Sequence, residues 1–194
     1  MTESASTPRL RVTFAVYLAL VAATAVLGPR EVGAWAYYAT GIAGFLCVAL
    51  ACLGRIWCSA FIAGHKDSAL VTSGPFARLR HPLYACSMLG AFGLGLTSRS
   101  VLLCVIVVVL IAALVIYAAS CEEQFLAEQF PDDFKAYVAA VPHKWWPRAR
   151  IAALPESIDV RPVVFWKSFL DAGSFFALWL LVALAAEFRM VPAY

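Results

Sequence analysis

The residues able to do chemistry gather in two short segments. The first reads Leu70-Val71-Thr72-Ser73-Gly74-Pro75-Phe76-Ala77-Arg78-Leu79-Arg80-His81-Pro82-Leu83-Tyr84. The second runs from Cys121-Glu122-Glu123 to Lys135-Ala136-Tyr137. In the first, His81 stands directly before Pro82, and proline is favoured at the first position of a helix. A helix that starts there presents free backbone N–H groups beside the histidine, a setting that attracts an anion. In the second, the adjacent carboxylates of Glu122 and Glu123 can pair with a cation, accept from hydroxyls or take a proton. A third pair, Lys167 and Asp171, is spaced for an i, i+4 contact inside an apolar run. An acid in such a run marks a polar cavity or a paired charge. The six cysteines, Cys47, Cys52, Cys58, Cys86, Cys104 and Cys121, form no CxxC pair. They read as small hydrophobes. Clustered Cys/His ligands, which a zinc site would need, are absent, and no metal is expected.

The elements that carry these groups must live partly in lipid. The 194 residues are 63% hydrophobic and 14% charged, with a mean hydropathy of +0.82. A soluble domain is nearer half apolar and a quarter charged. The composition excludes a soluble enzyme, a disordered chain and a coiled coil. A formal charge of +3 is too mild for a nucleic-acid binder. Five apolar runs stand out: Val12 to Leu27, Val32 to Leu53, Pro82 to Leu96, Val101 to Ala119 and Val163 to Phe188. The fourth is rich in β-branched residues, but in lipid the backbone must pair within its own segment, so helix is expected. Gly28-Pro29-Arg30-Glu31 reads as a turn, making the first two runs a retained hairpin rather than a signal peptide and its cleavage site. Between Glu122 and Ala140, Phe125, Leu126, Phe130, Phe134, Tyr137 and Val138 share rough helical spacing. They predict an amphipathic interfacial helix broken near Pro131. Trp145 and Trp146 read as interfacial anchors.

Orientation follows from the basic residues. With the N-terminus inside, twelve of the fifteen Lys and Arg residues face the cytoplasm, and only Arg30, Arg99 and Arg189 face out. The fold class expected is all-α, a polytopic bundle of about five transmembrane spans in the cell (inner) membrane. Both chemical segments then lie at the cytoplasmic face. The expected units are an N-terminal hairpin (1–54), a core with two spans and the interfacial helix (55–162), and a C-terminal span with its tail (163–194).

Arg80-His81-Pro82-Leu83-Tyr84, followed about 40 residues later by Glu122-Glu123, resembles the isoprenylcysteine carboxyl methyltransferase family and its relatives, the membrane phospholipid methyltransferases. Arg55-Ile56-Trp57-Cys58-Ser59 and Phe130-Pro131-Asp132-Asp133-Phe134 resemble the segments that flank the motif. The resemblance covers Arg55 to Pro147 and implies S-adenosylmethionine bound at the cytoplasmic face. Carried over by motif, it implies that Ala69, Leu70, Val71, Phe76, His81, Pro82, Leu83, Tyr84 and Glu122 hold that cofactor. Glu122 would meet its ammonium or ribose hydroxyls, His81 its carboxylate, and Leu70, Val71 and Phe76 its adenine.

Two positions depart from the family pattern. Phe76 stands where tyrosine is frequent. Ala118 stands where family members that methylate a prenylcysteine carboxylate carry arginine, which disfavours that acceptor. The resemblance therefore implies an S-adenosylmethionine-dependent methyltransferase acting on a lipophilic or lipid acceptor, with membrane lipids around it and no metal or nucleic acid. Glu123 is the candidate catalytic base, and position 118, Lys167 and Asp171 are candidates for the substrate side. The competing reading is a non-enzymatic transporter or assembly protein, in which Lys167 and Asp171 would matter more than His81 and Glu122.

Overall fold

A computed structural model describes residues 3–29, 32–63, 70–142, 144–145, 155–158 and 160–190. The described residues form six α-helices and one 3₁₀ turn and contain no strand. The helices are α1 (Glu3–Leu27), α2 (Ala34–Ile62), α3 (Pro82–Thr97), α4 (Val101–Gln129), α5 (Pro131–Ala140) and α6 (Pro162–Met190), with the 3₁₀ turn at Gly74–Ala77.

Three of the helices, over Ala34–Ile62, Val101–Gln129 and Pro162–Arg189, are long and apolar enough to cross a membrane. Arg11–Leu27 and Pro82–Thr97 are shorter apolar helices. The outer faces stay apolar: Leu46, Leu50 and Leu53 of α2, Val109 and Leu110 of α4, and Leu180, Leu181 and Leu184 of α6 are all exposed. In water such a surface would be untenable; in a bilayer it is solvated.

The core is drawn from five helices. Tyr17 and Leu20 of α1, Val48 of α2, Leu94 of α3, Val107 and Ile111 of α4 and Val182 of α6 form one buried cluster. Lipid gives apolar side chains no reason to leave it for each other, so membrane helices associate where small residues let backbones come close. Gly93 of α3 meets Gly44 of α2 in this way: a Cβ on Gly93 would lie 2.7 Å from the Gly44 carbonyl oxygen. Gly90 makes room for Phe175, whose ring would overlap an added Cβ. The glycine-rich third run is therefore a packing surface.

Helix boundaries differ from the sequence expectation at two places that matter. The helix begun by Val32–Leu53 does not stop at the end of the apolar run; α2 continues through Arg55 to Ile62. The fourth run and the first half of the amphipathic stretch are one helix, α4, which turns only at Phe130 before Pro131 opens α5. Pro131 cannot continue the α4 hydrogen-bond ladder but suits a helix start. Ser100 caps α4, its hydroxyl accepting from the Leu103 N–H at 3.4 Å.

The two ends of the bundle have different chemistry. At one end Arg99 pairs with Glu187 at 2.9 Å, and its guanidinium stacks 4.2 Å from the Tyr37 ring centroid. Tyr37 donates to the same Glu187 at 2.7 Å, and Arg189 donates to the Gly28 carbonyl at 3.1 Å. These bonds tie together the end of α1, the start of α2, the α3–α4 turn and the end of α6. The opposite end holds the motif segments.

Candidate functional site

His81 is the residue at which this site is built. It precedes Pro82, the first residue of α3, and is buried. Its Nε2 donates toward Glu123 Oε1 at 3.0 Å. Its ring stacks on Tyr84 with centroids 5.7 Å apart and lies 5.8 Å from the Trp145 ring. With one nitrogen committed to Glu123, Nδ1 is the ring atom left for a ligand.

Glu123, one turn and a half from the end of α4, gathers three basic side chains. Arg80 Nη1 approaches Oε1 at 3.1 Å, His81 shares that oxygen, and Lys144 Nζ reaches Oε2 at 2.6 Å. Arg80 also donates from Nη2 to the Pro142 carbonyl at 3.1 Å. The carboxylate therefore clamps the α3 start, the end of α4 and the segment after α5. With both oxygens engaged, it is poorly placed to take a proton, and the clamp suits Glu123 better than the expected role of base.

Beside this clamp lies a cavity of about 340 Å³. Leu70, Val71, Phe76, His81, Leu83 and Glu122, six of the nine residues expected on the cofactor, line it. Glu122 makes none of the ion pairs of Glu123. The remaining expected cofactor residues divide. Pro82 is buried at the start of α3 and Tyr84 stacks on the His81 ring, and neither is among the residues that line the cavity. Ala69 lies outside the described residues, as do His65, Lys66, His143 and Trp146.

The wall also contains residues that the motif did not single out. Phe125, Leu126, Phe130 and Tyr137 line the cavity, so much of the amphipathic face expected at the interface is turned onto it. Ser59 of α2 and Val164 and Ser168 of α6 close the far side. Tyr137 is buried and donates to the Phe76 carbonyl at 2.8 Å, latching α5 to the 3₁₀ turn. Burial pushes its phenol above the ordinary tyrosine value. Arg80 lines the cavity with a buried Nε that has no partner among the described residues. Trp145, read from the sequence as an interfacial anchor, packs against His81 and the core.

Candidates for the substrate side fall differently. Ala118 is buried on α4 and is not part of the cavity wall. Asp171 does not pair with Lys167, which is exposed. Its partner is Arg55 of α2, brought into reach because α2 outlasts its apolar run.

A family model described as phospholipid methyltransferase matches residues 35–133, about half of the chain. The chain is 35% identical over 170 residues to the cobalt-zinc-cadmium resistance protein CzcN of Cupriavidus metallidurans, covering 86% of this chain and 77% of that protein. It is 30% identical over 163 residues to the nickel-cobalt-cadmium resistance protein NccN of Alcaligenes xylosoxydans xylosoxydans, covering 82% of this chain and 76% of that one. No solved structure matches. The matched span holds most of the cavity lining, from Ser59 to Phe130, with the Arg80-His81-Pro82 start of α3 and the paired glutamates of α4, and the chain belongs to the phospholipid methyltransferase family.

Proposed function

We propose that this chain is a multi-pass membrane methyltransferase that uses S-adenosylmethionine and modifies a lipophilic acceptor. The observation that carries the reading is the cavity shared by the two motif segments, with Glu122 and His81 on its wall. Its volume falls within the range of small-molecule sites.

The side chains present suit the cofactor. Glu122 offers a carboxylate to an ammonium group or to ribose hydroxyls. Leu70, Val71, Phe76, Phe125 and Leu126 offer an apolar wall to a heterocycle. The unpartnered Arg80 Nε and the start of α3 offer donors to a carboxylate. When bound, S-adenosylmethionine supplies a methyl group already activated by its sulfonium charge. The chain's own work is proximity, orientation and exclusion of water. Glu123 fixes His81 and Arg80, Tyr84 and Trp145 hold the His81 ring, and Tyr137 keeps the 3₁₀ turn against the wall.

In this reading all five apolar helices span the bilayer and the cavity faces the cytoplasm, as the distribution of basic residues favours. The acceptor arrives from the lipid. Because Ala118 provides no cation, an acceptor carboxylate would enter a low-dielectric site unpaired, which is heavily penalised. The names of the relatives speak of metal resistance. Under this reading, what the chain contributes to such a setting is modification of a membrane constituent.

The test is a labelled-methyl transfer screen on the reconstituted protein, with prenylcysteine acid, phosphatidylethanolamine, a long-chain amine and a long-chain thiol. Transfer to one of them that depends on His81 and Glu122 is expected. A folded protein that neither binds the cofactor nor methylates any of the four would overturn the reading.

A further inference from the structure

Cys58 of α2 and Cys86 of α3 lie far apart in the sequence and show none of the spacing of a metal or redox motif. The packing of α2 on α3 brings them together, and a side-chain hydrogen bond joins the two sulfurs. The backbone makes the seat. Gly54 stands one turn before Cys58 on α2, and a Cβ there would lie 2.6 Å from Cys86 Sγ. A larger residue at position 54 would displace the sulfur that Cys86 sets against α2. Both side chains are free thiols, Cys58 buried and Cys86 half-buried.

The surroundings select what such a pair can hold. Cys58 packs with Phe61 and Phe76, and Ile62, Val71 and Leu83 lean on the same apolar cluster. Among the described residues no group of three His, Cys, Asp or Glu side chains is placed to hold a metal. An ion that demands four ligands, such as zinc, is therefore not served here. Two sulfurs alone suit a soft ion that is satisfied by two ligands in line, and thiolate is the ligand type that selects copper(I). When such an ion enters, two S–H bonds break, two sulfur–metal bonds form and two protons leave for water. The bis-thiolate complex carries one net negative charge. Arg55, three residues before Cys58, lies within electrostatic reach of both sulfurs. Its Nη2 is held by Asp171 and its Nη1 donates to Ser87, the neighbour of Cys86, at 2.6 Å. Its Nε is buried with no partner among the described residues, a donor still available to an anionic complex.

We propose that Cys58 and Cys86 form a two-coordinate binding site, between α2 and α3, for a soft monovalent cation of the copper(I) type. The site lies directly behind the cavity, because Ile62, Val71, Phe76 and Leu83 belong both to the Cys58 cluster and to the cavity wall. It is separate from the place assigned to the methyl donor and does not rest on the methyltransferase reading. An ion held there links α2 to α3, so occupancy stabilises the folded chain.

The experiment titrates the reduced full-length protein in detergent, under nitrogen, with copper(I) buffered by the chromogenic chelator bathocuproine disulfonate. Thermal unfolding is followed on the same samples. Wild type is expected to take one ion per chain and to unfold at a higher temperature when loaded. Cys58→Ser and Cys86→Ser should each weaken binding at least about a hundredfold, one thiolate of the two being lost, and should lose the thermal shift. Cys47→Ala and Cys121→Ala should change neither. X-ray absorption of the loaded wild type should show two sulfur ligands and no third. A wild type that binds copper(I) no more tightly than the two serine variants would overturn the proposal. Should those variants not fold, a third sulfur, or a nitrogen or oxygen, in the metal's shell overturns it equally. Recovery of Cys58 and Cys86 from cells as a disulfide would make the pair a redox element and overturn the metal site as well.

Discussion

Glu122 and Glu123 are neighbours in sequence, yet the structure gives them opposite duties, and substitution should separate them. Glu123 holds Arg80 at 3.1 Å, His81 at 3.0 Å and Lys144 at 2.6 Å. Neutralising it leaves Arg80, whose side chain is 9% exposed, without its counter-ion. Removing one partner of a buried pair costs about 3–5 kcal/mol. Lys144 is 42% exposed and can turn to water, so its share is small, about 0–1 kcal/mol. Glu123→Gln retains the shape and one hydrogen bond, which brings the expected loss to about 2–3 kcal/mol. Glu122→Gln removes a charge from the cavity wall but breaks no ion pair, so the fold should lose less than about 0.5 kcal/mol. Its effect should fall on the ligand: a tenfold or greater loss of S-adenosylmethionine affinity, at least about 1.4 kcal/mol. The assay is denaturant unfolding in detergent for stability, alongside calorimetric titration of each folded variant. If Glu123→Gln is as stable as wild type while Glu122→Gln unfolds, the clamp has been assigned to the wrong glutamate. Equal effects of both on stability and on affinity would also refute the division of labour.

Other outcomes follow from the packing and the latch. Gly93→Ala should destabilise by about 1–3 kcal/mol, because the added Cβ would stand 2.7 Å from the Gly44 carbonyl; unchanged thermal unfolding would contradict the close approach of α2 and α3. Tyr137→Phe should cost about 1 kcal/mol through the lost bond to the Phe76 carbonyl. Because burial raises the Tyr137 phenol, that contribution is fully present below the unfolded value of about 10 and is lost as pH rises through the higher folded value. The stability gap between wild type and Tyr137→Phe should therefore hold steady to about pH 9 and change only in strong base; a gap that closes near neutrality would show that the phenol is not buried as described. Labels at Ser73 and Ser157, both exposed, should react only from the cytoplasmic side, and a label appended after Tyr194 only from outside. A C-terminus found inside would remove the fifth span.

Much of the fold and the core of the site could be read from the residues. Pro82 starts α3 where Arg80-His81-Pro82 suggested, and His81 and Glu122 meet at one cavity. What escaped has physical causes. Arg55 looked like the end of a span because hydropathy counts charges one at a time, and its cost is met by Asp171, 116 residues away. The same blindness paired Asp171 with Lys167, the nearest cation in sequence, when α6 turns Asp171 toward α2. The face carrying Phe125, Leu126 and Tyr137 looked interfacial because its burial partner is the 3₁₀ turn and the loop before α3, which carry no periodic signal. Lys144 lies in an irregular segment, and only folding brings it to Glu123. Ser59, one turn beyond Arg55, offered the one usable clue: a polar residue in register with a charge on a helix that had to continue.

The most direct test of the account is calorimetric titration of the purified protein with S-adenosylmethionine, repeated on folded His81→Ala and Glu122→Ala. Saturable binding at a single site is expected, with affinity at least tenfold weaker in each variant, about 1.4 kcal/mol or more. A protein that shows no binding, or variants that bind as tightly as wild type, would contradict the claim that this cavity holds the methyl donor.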